Sequence, residues 1–113
     1  MIVRATDMHS EKKNMRNGAG LCHVLDILPS KSVPHGRLYS KITIEKGCSI
    51  GVHDHVNETE YYYLLSGQGI VTEDDGEKIV SAGDLVVTGG GASHAIRNEH
   101  DEPLVFIALI LFD

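Results

Sequence analysis

Cysteine is scarce in this chain, clusters of Lys or Arg are missing, and no apolar run is long enough to cross a bilayer. Two cysteines, Cys22 and Cys48, occur among 113 residues. That is too few for the disulfide framework of a small secreted scaffold, and the two thiols are expected to be free. Ten Lys and Arg face sixteen Asp and Glu, a net charge of −6 with His neutral. An acidic balance without a basic patch gives little purchase on nucleic acid or anionic lipid, so neither is expected as a partner. The lack of a long apolar stretch argues against a membrane-spanning helix. The polar, mixed-charge start does not read as a signal peptide, and a cytoplasmic setting is the expectation. No segment of helical length carries an amphipathic period, and there is no internal repeat.

What the chain has instead is short alternating segments, glycine punctuation and seven histidines. The length suits one hydrophobic core. Residues 1–20 are expected to form an N-terminal arm and residues 21–113 a single domain. Within the arm, residues 7–20 carry no clean period. Strands are expected at 21–28, 37–45, 50–55, 60–65, 68–73, 77–81, 84–88, 93–98 and 103–112, separated by Gly47, Gly67, Asp74-Asp75-Gly76, Gly83 and the glycines from Gly89 to Gly91. Over 37–45 the alternation puts Leu38, Ser40, Ile42 and Ile44 on one face. Many short strands at regular spacing indicate an all-β barrel or sandwich.

Alternate strand residues share a face, so His53 and His55 point the same way. Glu60 opens the next strand and can fold back beside them, and His94 opens a later one. Imidazole and carboxylate suit Mn, Fe, Co, Ni or Zn, and three His with one Glu leave coordination positions open. A His-x-His pair by itself is more often incidental. Here the surrounding punctuation is specific. The stretch GCSIGVHDHVNETEYYYLLSG (residues 47–67) resembles the first cupin motif at every defining position. GDLVVTGGGASHAIRN (residues 83–98) resembles the second, except that Gly89 stands where the family usually has proline, which is expected to loosen the turn before His94. The resemblance implies a double-stranded β-helix (jelly-roll) cupin barrel. It also implies one divalent transition metal ion per chain, held by His53, His55, Glu60 and His94.

The same alternation sends Tyr62 and Leu64 inward. Tyr62 is either a packed core phenol with its hydroxyl satisfied or, as in cupins that are lyases, a catalytic acid/base. Ser40, Ile42, Phe106 and Ala108 are expected to line the substrate pocket. Strand alternation places Arg37, Lys41 and Arg97 outward, leaving only Lys12, Lys13 and Arg16 of the arm able to reach a pocket mouth. A pocket without an inward cation ranks phosphosugar isomerase and oxalate decarboxylase activities below action on a neutral or monoanionic substrate. The leading expectation is a metalloenzyme acting on a small oxygen-ligated molecule, with isomerase, lyase, decarboxylase and dioxygenase chemistry all open. The alternative is a non-catalytic small-molecule binding or storage module. Finally, LVFIALILF (residues 104–112) is apolar on both faces, which calls for cover on both and predicts a homodimer.

Overall fold

Period-two burial runs through almost every strand of the computed structural model, which describes residues 1–113. Ten strands form: β1 (Ser10–Lys13), β2 (Cys22–Leu28), β3 (Gly36–Ile44), β4 (Ser49–Asp54), β5 (Glu58–Ser66), β6 (Gln68–Glu73), β7 (Gly76–Ser81), β8 (Leu85–Gly89), β9 (Ser93–Arg97) and β10 (Leu104–Phe112). They make an antiparallel six-stranded sheet, β1-β2-β3-β10-β5-β8, and a four-stranded one, β4-β9-β6-β7. The inward residues of both sheets meet in one core. Ile42, Leu64 and Phe106 come from the larger sheet, and Ile50, Val71 and Ile96 from the smaller. Each such side chain contributes about 1.5–3 kcal/mol by leaving water. On β10 the inward set is Leu104, Phe106, Ala108 and Ile110, as the alternation requires.

Two bulges matter for the site. Between β4 and β9, Ile50 pairs with Ile96 but His53 pairs with His94, so β4 carries one extra residue at Gly51–Val52. A bulge of this kind reverses the alternation. Ile50 and His53 therefore both face inward, while Val52 is 71% exposed. Between β3 and β10, Ile110 pairs with Leu38 and Leu111 with Gly36, which leaves Arg37 as the unpaired residue.

The stretch 7–20, which lacks a period, is ordered by backbone pairing rather than by a buried face. β1 is exposed throughout and adds to the sheet edge, pairing Ser10–Lys13 with Leu25–Cys22 of β2. The following residues cross β4, where Met15 bridges to Ile50 and its carbonyl accepts from Gly51 N at 3.1 Å. Only glycine fits at that crossing, because a Cβ on Gly51 would lie 2.1 Å from the Arg16 carbonyl oxygen. Both cysteines are free, and burial, together with nearby Cys48, pushes the Cys22 thiol up to about 11.

Candidate metal centre

β4 and its continuation supply His53 and His55, β9 supplies His94 from the neighbouring strand, and β5 supplies Glu60 from the facing sheet. The centre thus joins the two sheets. His55, Glu60 and His94 are buried, and the four donor atoms all lie within 4.8 Å of one another.

Each imidazole has a partner for its outer nitrogen, and for His53 and His55 that partner fixes the tautomer. His53 Nδ1 donates to the Gly51 carbonyl at 2.8 Å, inside the β4 bulge. His55 Nδ1 donates to Glu58 Oε2 at 2.5 Å. His94 Nδ1 lies 2.8 Å from the buried Thr88 hydroxyl, which can accept from it when Nε2 serves as a ligand. All three Nε2 atoms are aimed at one point. His94 Nε2 lies 2.9 Å from His53 Nε2, 3.1 Å from His55 Nε2 and 2.9 Å from Glu60 Oε1. His55 and His53 Nε2 are 2.8 and 3.5 Å from that same oxygen. Three nitrogens and a carboxylate oxygen packed this closely need a proton or a metal cation among them. Adjacent ligands at right angles with bonds of about 2.1 Å are separated by about 3.0 Å, which fits most of these distances. The donor set therefore suits a divalent ion, and every ligating imidazole has the outer hydrogen bond that such ligands use.

Charge around the centre is organised by Glu58. Arg37 donates to it through both Nε and Nη2 at 2.7 Å each. Those bonds and the one from His55 hold the Glu58 carboxyl down to about 2, so it stays ionised. Hydrogen bonding to Glu60, opposed by burial and assisted by Glu58, raises His55 from its ordinary value. Burial lowers His94. Glu60 is held well below the carboxylate range because its three imidazole contacts outweigh its burial.

Tyr62 is buried, stacked on the His94 ring at 4.9 Å and 15°, with its hydroxyl 3.5 Å from His94 Nε2. Burial, then the Glu60 charge, pushes its phenol well up, so it keeps its proton. Ile42 lines the cavity over the centre. Ser40 is buried and donates to Asp26 Oδ1 at 2.9 Å, and Phe106 and Ala108 are fully buried, with Phe106 packed against Tyr62 at 4.5 Å. The turn before His94 is tied to the ligand strand: Gly91 N donates to the His55 carbonyl and His55 N to that of Ala92.

The cavity measures about 200 Å³ and is lined by His53, His55, Glu60, Tyr62, Arg37, Arg16 and Lys13 among others. The expectation that Arg37 faces outward is thus corrected. Alternation fails at the β3 bulge, which turns the guanidinium toward the centre. With it falls the ranking built on a pocket without cations. Glu58 and Thr88 were not singled out by sequence reasoning. Glu58 had a signal, since it precedes Glu60 by two residues on one strand and so shares its face.

Comparison with known proteins agrees with this geometry. Residues 40–110 match the cupin domain family model. The chain is 35% identical over 114 residues to an oxalate-binding protein of Thermotoga maritima, covering 98% of this chain and 93% of that one. It superposes on the crystal structure of a protein described as a predicted oxalate decarboxylase, also from Thermotoga maritima, with a TM-score of 0.92, 31% identity and full coverage of both chains. A sugar phosphate isomerase of Silicibacter pomeroyi, at 16% identity and a TM-score of 0.77 over all of this chain and 76% of its own, shares the fold alone. Family match, relatives and paired motifs together show that the chain belongs to the cupin family.

Proposed function

We propose that this protein binds one divalent transition metal ion per chain on His53, His55, Glu60 and His94, and through it a small carboxylate ligand of the oxalate class. The observation that carries this reading is the convergence of three Nε2 atoms and one carboxylate oxygen on a cavity lined by cationic side chains. An ion bound there supplies a Lewis-acid centre for oxygen ligands. A cavity of about 200 Å³ is smaller than the ~300–1,000 Å³ typical of drug-sized ligands and favours a molecule of a few heavy atoms. The Thermotoga maritima matches, one named for oxalate binding and one described as a predicted oxalate decarboxylase, support the same class.

Binding without turnover is the better supported role. Glu58 is spent on Arg37 and His55, and Tyr62 keeps its proton, so no uncommitted base faces the cavity. Turnover rests on Tyr62 as a proton donor beside the ligands. Calorimetry with oxalate separates the main claim from its failure. Metal-loaded protein is expected to bind oxalate at least about a hundredfold more tightly than chelator-treated protein. Equal affinity in the two states rules out ligand binding through the ion.

The same reading includes a homodimer. The outer face of the larger sheet carries Tyr63, Leu65, Leu85 and Val87, all exposed, beside the outward Val105, Ile107 and Leu109 of β10. A continuous apolar face of this kind needs cover. Sedimentation is expected to give a dimer at micromolar concentration, with Tyr63→Glu shifting it to monomer. A monomeric wild-type protein disproves this arrangement.

A further inference from the structure

The arm between β1 and β2 is built more elaborately than a connection requires. Asn14 Nδ2 donates to the carbonyls of Gly18 and Gly20 at 2.8 and 3.1 Å. The Met15 carbonyl accepts from both Gly18 N and Gly51 N, at 3.0 and 3.1 Å. Ala19 N donates to Ser49 Oγ at 2.8 Å, and Ser49 N returns a bond to the Ala19 carbonyl at 2.9 Å. At the crest of this strap, Arg16 and Asn17 have φ of 55° and 58°. Consecutive non-glycine residues in the left-handed region are uncommon and persist only where their surroundings impose them. The strained pair is held against the same β4 bulge that orients His53. The side chain it presents is Arg16, on the wall of the metal cavity.

The charges there do not all play the same part. Arg37 is committed to Glu58 through two bonds. Lys13 has Glu11 at 3.5 Å. Arg16 makes no hydrogen bond or ion pair through its guanidinium, and it lines the same cavity as Tyr62 and the metal ligands. A divalent ion on Glu60, with neutral imidazoles, leaves one net positive charge, and the Arg37–Glu58 pair adds none. Arg16 supplies a second. Its planar fork matches a carboxylate, whereas a lysine offers only a point charge.

We infer that Arg16, held over the cavity by the Asn14–Gly20 strap, is a specificity-determining residue that selects small dianions over monoanions by pairing with the carboxylate that is not taken up by the metal centre. This rests on the functional reading above and deepens it.

The test compares oxalate with oxamate, which keeps the size and replaces one carboxylate by an uncharged amide, by calorimetry on metal-loaded full-length protein. Wild type is expected to prefer oxalate by about tenfold or more. Arg16→Met is expected to erase that preference by weakening oxalate while leaving oxamate within about twofold and metal content unchanged. Arg16→Lys should recover part of it. Asn17→Pro keeps the arginine but cannot adopt a positive φ, so it should behave like Arg16→Met. A preference that survives Arg16→Met or Asn17→Pro overturns the inference and leaves the functional reading standing. So does loss of metal from Arg16→Met, which would make the residue structural. Wild-type protein that holds metal but binds no oxalate overturns both.

Discussion

Replacing His94 with alanine is expected to abolish stoichiometric metal binding while leaving the barrel folded. His94 Nε2 is the donor closest to all the others, within 3.1 Å of His53, His55 and Glu60. Its removal takes one donor of four and leaves the others facing a gap. Loss of a mere outer partner of a ligand costs about 10–100-fold in metal affinity, so loss of the ligand itself should exceed that. The fold should survive. The ring is buried and stacked on Tyr62, and truncating it should cost about 2–4 kcal/mol, as for other large-to-small core changes. A domain of this size has about 5–15 kcal/mol in hand. Elemental analysis of protein purified without added metal, with circular dichroism as the control for folding, checks both halves. Near-stoichiometric metal in His94→Ala, or a wild type that takes up no Mn, Fe, Co, Ni or Zn, contradicts the centre described above.

Where sequence and structure agree, the reason is period. On β10 the burial alternates from Leu104 to Ile110, as a strand in the expected register requires, although both of its faces are apolar. Glu60, Tyr62 and Leu64 follow the same rule on β5. His53 and His94 were legible as partners because the two motifs name them, and the structure sets them directly opposite across β4 and β9. Alternation fails where a strand gains a residue. Nothing in the composition of residues 36–38 announces a bulge, because the extra residue is defined by the register of β10 against β3, a long-range pairing. One such slip turns Arg37 inward and changes the charge of the pocket. The strap was illegible for another reason. In residues 14–20 only Met15 packs against the core, and the rest of their order comes from backbone and side-chain hydrogen bonds to β4, which leave no hydrophobic period. Glu58 lay within reach, but the expected strand began at residue 60 and left it in the turn.

The second large effect is expected at Glu58. Its carboxylate accepts from His55 Nδ1 on one side and from Arg37 on the other, so it fixes the tautomer of a ligand and carries the charge that makes that ligand a stronger donor. Glu58→Ala should weaken metal binding by about 10–100-fold at pH ~8, with Glu58→Gln, which keeps an acceptor but loses the charge, in between. The pH dependence gives the change a signature that mere loosening would not. In the metal-free protein His55 is raised above 6.5, by Glu60 first and by Glu58 in addition, against burial. A raised value means the folded state holds this proton more tightly than the unfolded chain does. That stabilisation is complete below about pH 6.5 and is lost as pH rises through the raised value. A metal ion takes the proton's place. The increase in Tm on adding metal should therefore grow from pH ~5.5 to pH ~8 as competition from protons falls away. Removing Glu58 withdraws one of the causes that hold the proton, so competition at low pH weakens along with the metal site. The deficit of Glu58→Ala relative to wild type should accordingly be widest near pH ~8 and narrow toward pH ~5.5. Thermal melts of both proteins with and without metal, taken across that range, measure it. A deficit that is constant with pH would show that Glu58 acts only by positioning Arg37 and the β5 strand, without tuning the imidazole.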